Sequence, residues 1–245
     1  MTRIILEGFK KKDIEFKEVL VSDASSDVLD SLKNKFPEIT ISSNNQPPAS
    51  CDGVFIALHP PAVIPALEEI KPVLKQGAVL ISLAPKILMS KITEKLGGFS
   101  RIVRMIPNAC SVINQGYNPV TFSPSLAELE KKDLLRILAI LGDCPEVDED
   151  KLEAYAVVAA MGPTYLWFQL YELEKIGMTF GLTPQEARNA VSFMAEGSAK
   201  TMIDSGLPPD EVMDLIPVKP LGEEEEKIKE IYGVRLNALF VKLKS

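Results

Sequence analysis

The sequence predicts an α/β protein, a parallel sheet layered with helices, followed by an all-helical segment. Two observations carry this expectation. Between residues 18 and 106, short β-branched or wholly apolar runs alternate with amphipathic stretches of helical spacing, the pattern of consecutive βαβ units. Beyond residue 148 the strand signals stop and helical periodicity takes over. The 245 residues leave room for two domains, expected at 1–148 and 149–245.

Taken in order, residues 3–10 place Ile4, Ile5 and Phe9 for the buried side of a helix. EVLVSD at 18–23 is an apolar run ending on an acid. Residues 24–36 carry Val28, Leu29, Leu32 and Phe36 at helical spacing, with Ser22 or Asp23 as the expected N-cap. A short β-branched strand follows at 39–42. GVFIAL at 53–58 is continuously apolar, as expected of a strand buried on both faces. Pro60 and Pro61 end it and open a helix to about Leu74. AVLISL at 78–83 is another buried strand, 87–96 a helix closing on Gly97-Gly98, and RIVRMI at 101–106 a strand stopped by Pro107-Asn108. A further strand is expected at 117–122. A helix is expected at 125–141 with Ser125 and Glu128 forming a capping box, and a closing strand at 144–147. The remaining helices are expected at 149–160, from Pro163 past Trp167, from Pro184 to about Ser205 with Thr183 as N-cap, at 208–215 and at 223–243.

Composition narrows the function. Lys and Arg number 27 against 34 Asp and Glu, a net charge of −7, which argues against a general binder of nucleic acid or anionic membranes. One histidine leaves little material for a zinc site or a Ser-His-Asp triad, so no metal is expected. Three cysteines, Cys51, Cys110 and Cys144, stand far apart without CxxC spacing, as in a reduced cytoplasmic protein. No apolar run has the length of a membrane helix, and no signal peptide is visible.

Right-handed crossovers would align the C-terminal ends of the strands along one edge, where ligands of open α/β sheets bind. Asp23, His59, Pro60, Ser82, Ala84, Pro107 and Asn108 lie at those ends. They are the candidate site before any family is considered.

VFIALHPPAV at 54–63, AVLISLAPKI at 78–87, RIVRMIPNA at 101–109 and MGPTYLWF at 161–168 carry a resemblance that runs in order along nearly the whole chain. Together they resemble the pyrroline-5-carboxylate reductase family, NAD(P)H enzymes that make proline from its cyclic imine. The resemblance implies a Rossmann-like domain followed by a helical dimerisation domain that interlocks with a second subunit. It implies that Ala57, His59 and Pro60 pass under the nicotinamide half of the cofactor and that Pro107-Asn108 turns beside it. His59 stands where the family has lysine, and a solvent-facing turn is its alternative reading. Asp23 is placed to meet the adenine ribose, favouring NAD over NADP, or simply caps the next helix. Met161, Gly162 and Pro163 would open a helix whose N–H groups hold a substrate carboxylate, or form a plain helix start. Lys219 would supply a cation to the same substrate, or is a solvated loop lysine. The resemblance names no catalytic acid, because an imine protonated before hydride arrives needs chiefly orientation.

The sequence departs from that family in three places. None of the 14 glycines forms GxGxxG, and MTRIILEGF resembles the family's first helix, so the first strand and its glycine loop are missing. Either the neighbouring strands close the gap or the polypeptide starts upstream. NAD(P)H binding is expected to be weakened or lost if the chain truly starts at Met1. The substrate loop reads Pro217-Val218-Lys219-Pro220-Leu221-Gly222-Glu223 without the family's hydroxyls, and Ala156 replaces a threonine. These departures leave two alternatives open: a reductase-fold paralogue with another substrate, such as another imine or a deazaflavin-linked NADP reaction, or a dimeric scaffold without cofactor.

Overall fold

The structure is a computed structural model that describes residues 1–244. It opens with helix α1 (Thr2–Lys10), whose Ile5 and Phe9 are buried. Strand β1 (Leu20–Ser22), helix α2 (Ser26–Lys35) and strand β2 (Thr40–Ser42) follow, and β1 and β2 pair in parallel. The cap of α2 is Ser25, whose hydroxyl accepts from Val28 N, and not Ser22 or Asp23. Asp23 instead closes an Asx turn just before the helix, its Oδ1 accepting from Ser25 N at 2.9 Å. The competing hydrogen bond two residues on is what shifts the start of the helix.

A short helix α3 (Gln46–Ala49) leads to β3 (Gly53–Ile56), α4 (Pro60–Ile70), β4 (Val79–Ser82), α5 (Met89–Lys95) and β5 (Ile102–Met105). Strands β3, β4 and β5 are parallel neighbours. Helix α5 ends as expected, with Gly97 and Gly98 both at positive φ, where a side chain would be strained. β4 and β5 are buried along their whole length. β3 is not: Gly53 and Phe55 are exposed and only Val54 and Ile56 are covered. The continuous apolar run therefore hid an edge strand with one open face.

The expected strand at 117–122 is broken at Asn118-Pro119 into β6 (Gly116–Tyr117) and β7 (Val120–Phe122). β7 runs antiparallel to β5, giving the sheet order β3-β4-β5-β7. Helix α6 (Glu128–Leu138) begins three residues later than expected. Ser125 does not cap it, because its hydroxyl donates to Ser100 O at 2.7 Å; Glu130 accepts from Ala127 N instead. The closing strand β8 is Gly142–Asp143 and pairs with β6, ahead of the expected 144–147, where a bridge joins Val120 to Glu146. Gly142 takes φ 132°, and a Cβ there would lie 2.0 Å from Gly116 O.

β1 and β2 form a sheet of their own, and β1 does not pair with β3. The expected alternative, that neighbouring strands close the gap, is not realised. Helix α1 bridges the two sheets: Leu6 packs against the cluster of Val21, Leu29, Leu32, Phe36 and Ile39. Ile5 and Phe9 pack in the cluster of Val79, Ile81, Val103, Met105 and Leu141. A third cluster on the other face of the main sheet contains Val54, Leu80, Ile102, Val63, Leu67 and Ile92.

Beyond residue 148 every element is helical, as expected. A 3₁₀ turn (Glu149–Lys151) leads into α7 (Leu152–Tyr155) and then a π-helical segment, Ala156–Ala160. Helices α8 (Gly162–Thr179), α9 (Pro184–Asp204), α10 (Pro209–Asp214) and α11 (Glu225–Lys244) complete the chain. Thr183 caps α9 with Glu186 in a reciprocal box. The chain divides into two compact units, Met1–Ala160 with the residues from Phe240 onward, and Met161–Leu239.

Candidate functional site

The site expected from the strand ends is built within the first unit. β3, β4 and β5 are hydrogen-bonded neighbours running the same way, so their C-terminal ends lie side by side. Residues 57–60, 83–88 and 106–108 leave the sheet there. His59 is the N-cap of α4 in extended conformation, with Pro60 and Pro61 filling the first helical positions. Proline suits that turn because its missing N–H would have had no partner. His59 is exposed and Pro60 half-buried, while Ala57 packs against the main core.

Asn108 is fixed most tightly. It is 5 % exposed; its Oδ1 accepts from Cys110 N at 2.8 Å and its Nδ2 donates to Ala159 O at 2.9 Å. Its own N–H donates to Asn118 Oδ1 at 2.8 Å. The turn after β5 is thereby tied to the π-helical segment, whose irregular hydrogen bonding leaves carbonyls available to side chains. Pro107 beside it is half-buried. Ala84 is buried, and Ser82 is 1 % exposed with its hydroxyl unpartnered among the described residues.

Sequence reasoning missed the cluster behind these turns. Arg104, in the middle of β5, is 1 % exposed. Its guanidinium donates to Glu149 Oε1 at 3.0 Å and to Glu153 Oε1 at 2.7 Å. The same two oxygens accept backbone N–H groups of the loop after β4, Met89 N at 2.7 Å and Lys86 N at 3.1 Å. The signal was an arginine inside the apolar run RIVRMI, with two glutamates four residues apart further on. A buried arginine needs such partners.

Asp23 follows β1, half-buried, with one carboxylate oxygen engaged by Ser25 N. In the second unit, Met161, Gly162 and Pro163 open α8 and are half-buried. The N–H of Thr164 already donates to Met161 O at 3.0 Å, and Pro163 has none, so this helix start has fewer free donors than expected. Lys219 is exposed and pairs with Asp214 at 2.9 Å. Among the described residues no group of three His, Cys, Asp or Glu could hold a metal ion. No helix is long and apolar enough to cross a membrane.

Residues 1–86 match the family described as "NADP oxidoreductase coenzyme F420-dependent". Over 230 residues the chain is 23% identical to the pyrroline-5-carboxylate reductase of Corynebacterium melassecola, covering 93% of this chain and 85% of that protein. The chain is similar to the pyrroline-5-carboxylate reductases along most of its length. Its fold agrees with theirs. The crystal structure of the Plasmodium falciparum pyrroline carboxylate reductase with NADP bound superposes with a TM-score of 0.83, at 23% identity, over 99% of this chain and 92% of that one. The pyrroline-5-carboxylate reductase of Coxiella burnetii gives 0.69 at 25% identity, over 99% and 90%. The architecture is thus a Rossmann-like sheet domain followed in sequence by helices.

Proposed function

We propose that this chain is an NAD(P)H-dependent reductase of a small cyclic imine, of the pyrroline-5-carboxylate type, acting as a homodimer. The observation that carries the reading is the row of three parallel strand ends, with the proline-opened α4 beside one and the pinned Pro107-Asn108 turn at another. Nucleotides bind at such edges. A nicotinamide would lie over residues Ala57–Pro60, Ser82, Ala84, Pro107 and Asn108, and Asp23 would meet the adenine ribose with its second carboxylate oxygen. When bound, the cofactor supplies the hydride. These residues bind it, orient one ring face and exclude water.

Fit differs along the cofactor. The nicotinamide half would meet a surface in which Ser82, Ala84 and Asn108 are buried, Ala57, Pro60 and Pro107 half-buried and His59 exposed. For the pyrophosphate, none of the glycines among the described residues forms a GxGxxG cradle. Met161, Gly162, Pro163 and Lys219 are the proposed substrate contacts. The apolar substitutions near them, Ala156 and the loop 217–223, favour a second reading in which the imine is less polar than pyrroline carboxylate.

Dimerisation is supported by the second unit. Ala187 is its one buried residue among those described, and none of the 18 residues of α8 is buried. Helices this apolar need a partner surface.

Calorimetric titration with NADH and NADPH tests the reading. Saturable binding of one of them, followed by its oxidation on adding 1-pyrroline-5-carboxylate, is expected. Absence of binding by either removes the enzymatic reading. Binding without oxidation by this imine leaves only the paralogue.

A further inference from the structure

Buried Arg104 and Glu153, with the partly exposed Glu149, form a charge cluster that no part of the proposed hydride transfer needs directly. Its geometry is unusual in what it grips. Each carboxylate uses one oxygen for two donors, a guanidinium N–H and a backbone N–H of the segment that leaves β4. Glu149 takes Met89 N, the first residue of α5. That helix has no side-chain cap of its own, because Leu88 stands at its N-cap. Glu149 therefore caps α5 from a distant part of the chain. Glu153 takes Lys86 N, and Lys86 holds φ 74°, a left-handed conformation that costs a side-chain-bearing residue energy. The carboxylate holds the loop in a shape it would otherwise leave.

The loop so held spans Leu83 to Leu88; it follows the buried Ser82 directly and contains the buried Ala84. Ser82 is the register partner of Arg104 on the neighbouring strand, so both side chains rise from the same face of the sheet. Lysine in place of Arg104 could not engage two carboxylates in this fork.

We propose that Arg104, Glu149 and Glu153 are positioning residues for the nicotinamide end of the cofactor site: they fix the Leu83–Leu88 loop, and the fixed loop sets the surface the cofactor meets. This rests on the reading of the strand ends as a dinucleotide site.

The test uses the full chain with Glu153→Gln, and Glu149→Gln as the milder variant, since Glu149 is partly exposed and its loss leaves Arg104 still paired. Amide exchange by mass spectrometry reads the loop, calorimetry with NADPH and NADH reads the cofactor, and thermal melting reads the fold. In both variants peptides covering Lys86 and Met89 should exchange at least about tenfold faster. The Kd of the bound cofactor should rise by a similar factor, with turnover at saturating cofactor changed less than KM. Faster exchange with unchanged Kd overturns the proposal and leaves a purely structural cluster. Unchanged exchange overturns it as well, because the loop is then not held by these carboxylates. If the wild-type chain binds neither nucleotide, the dinucleotide reading falls; if it binds and the variants bind equally, only the positioning role falls.

Discussion

Phe168→Ser should dissociate the proposed dimer while leaving an isolated chain as stable as before. Phe168 lies on α8 and is 67 % exposed, beside Leu166 at 55 % and Tyr171 at 65 %. Serine there removes no intrachain packing of consequence, so the monomer's stability should move by less than about 0.5 kcal/mol. In an assembly built on this helix the ring is covered. Full burial of a phenylalanine is worth roughly 1.5–3 kcal/mol. A two-fold interface uses the same residue twice, so the loss is about 3–6 kcal/mol, or roughly two to four orders of magnitude in dimer affinity. Light-scattering mass against concentration reads this directly. Trp167, the one tryptophan, gives a second signal: it is 45 % exposed in the single chain, so its emission should shift to the red when the variant is diluted. A wild-type chain that remains monomeric at tens of micromolar, or a variant whose association is unchanged, refutes the reasoning.

Three further outcomes follow from individual side chains. Asp23→Ala should weaken NADH binding more than NADPH binding, since the carboxylate would accept from a free ribose hydroxyl and repel a 2′-phosphate; equal losses in parallel titrations contradict the ribose contact. Asn108→Ala removes a buried acceptor from Cys110 N and a donor to Ala159 O, and should cost about 1–3 kcal/mol in urea unfolding. Burial pushes the Cys144 thiol up to about 11, above its ordinary 9.0. Its thiol should resist iodoacetamide at pH 8, as followed by mass spectrometry. Because the unfolded chain ionises this thiol first, its contribution to stability is intact below about pH 9 and is lost as pH rises toward 11.

Much of the fold was legible because burial writes itself into residue type. The wholly buried strands Val79–Ser82 and Ile102–Met105 lie inside AVLISL and RIVRMI, and Thr183 caps its helix as read. The misreadings were of partnership. GVFIAL has the same composition as its neighbours, yet β3 is open on one face, since an apolar run does not state what covers it. Ser125 and Glu128 have capping-box spacing, but the Ser125 hydroxyl donates to Ser100 O, Glu128 accepts from Lys131 Nζ, and Glu130 takes the N–H of Ala127. Strand ends could be named from the pattern, so the candidate site was legible as a row of residues. What holds them was not. The Arg104 cluster joins residues 45 and 49 positions apart, and the Asn108 bond to Ala159 spans 51, distances no local pattern reports.

The separation of β1-β2 from the main sheet bears on cooperativity. No strand pairing joins the two sheets. The link runs through side chains: Leu6 of α1 in the small cluster, the Lys35–Glu7 ion pair, Lys10 over the ring of Phe36, and Asn45. Asn45 accepts from Ser22 Oγ at 2.9 Å and donates to Glu69 of α4. Such a block can open without breaking a single ladder bond of the larger sheet. It should act as a foldon of its own, with the amides of β1 and β2 exchanging through a low-energy subglobal opening while those of β4 and β5 wait for global unfolding. Under load or mild denaturant, the lobe expected to receive the adenosine would come undone first, and the lobe expected to receive the nicotinamide would remain intact.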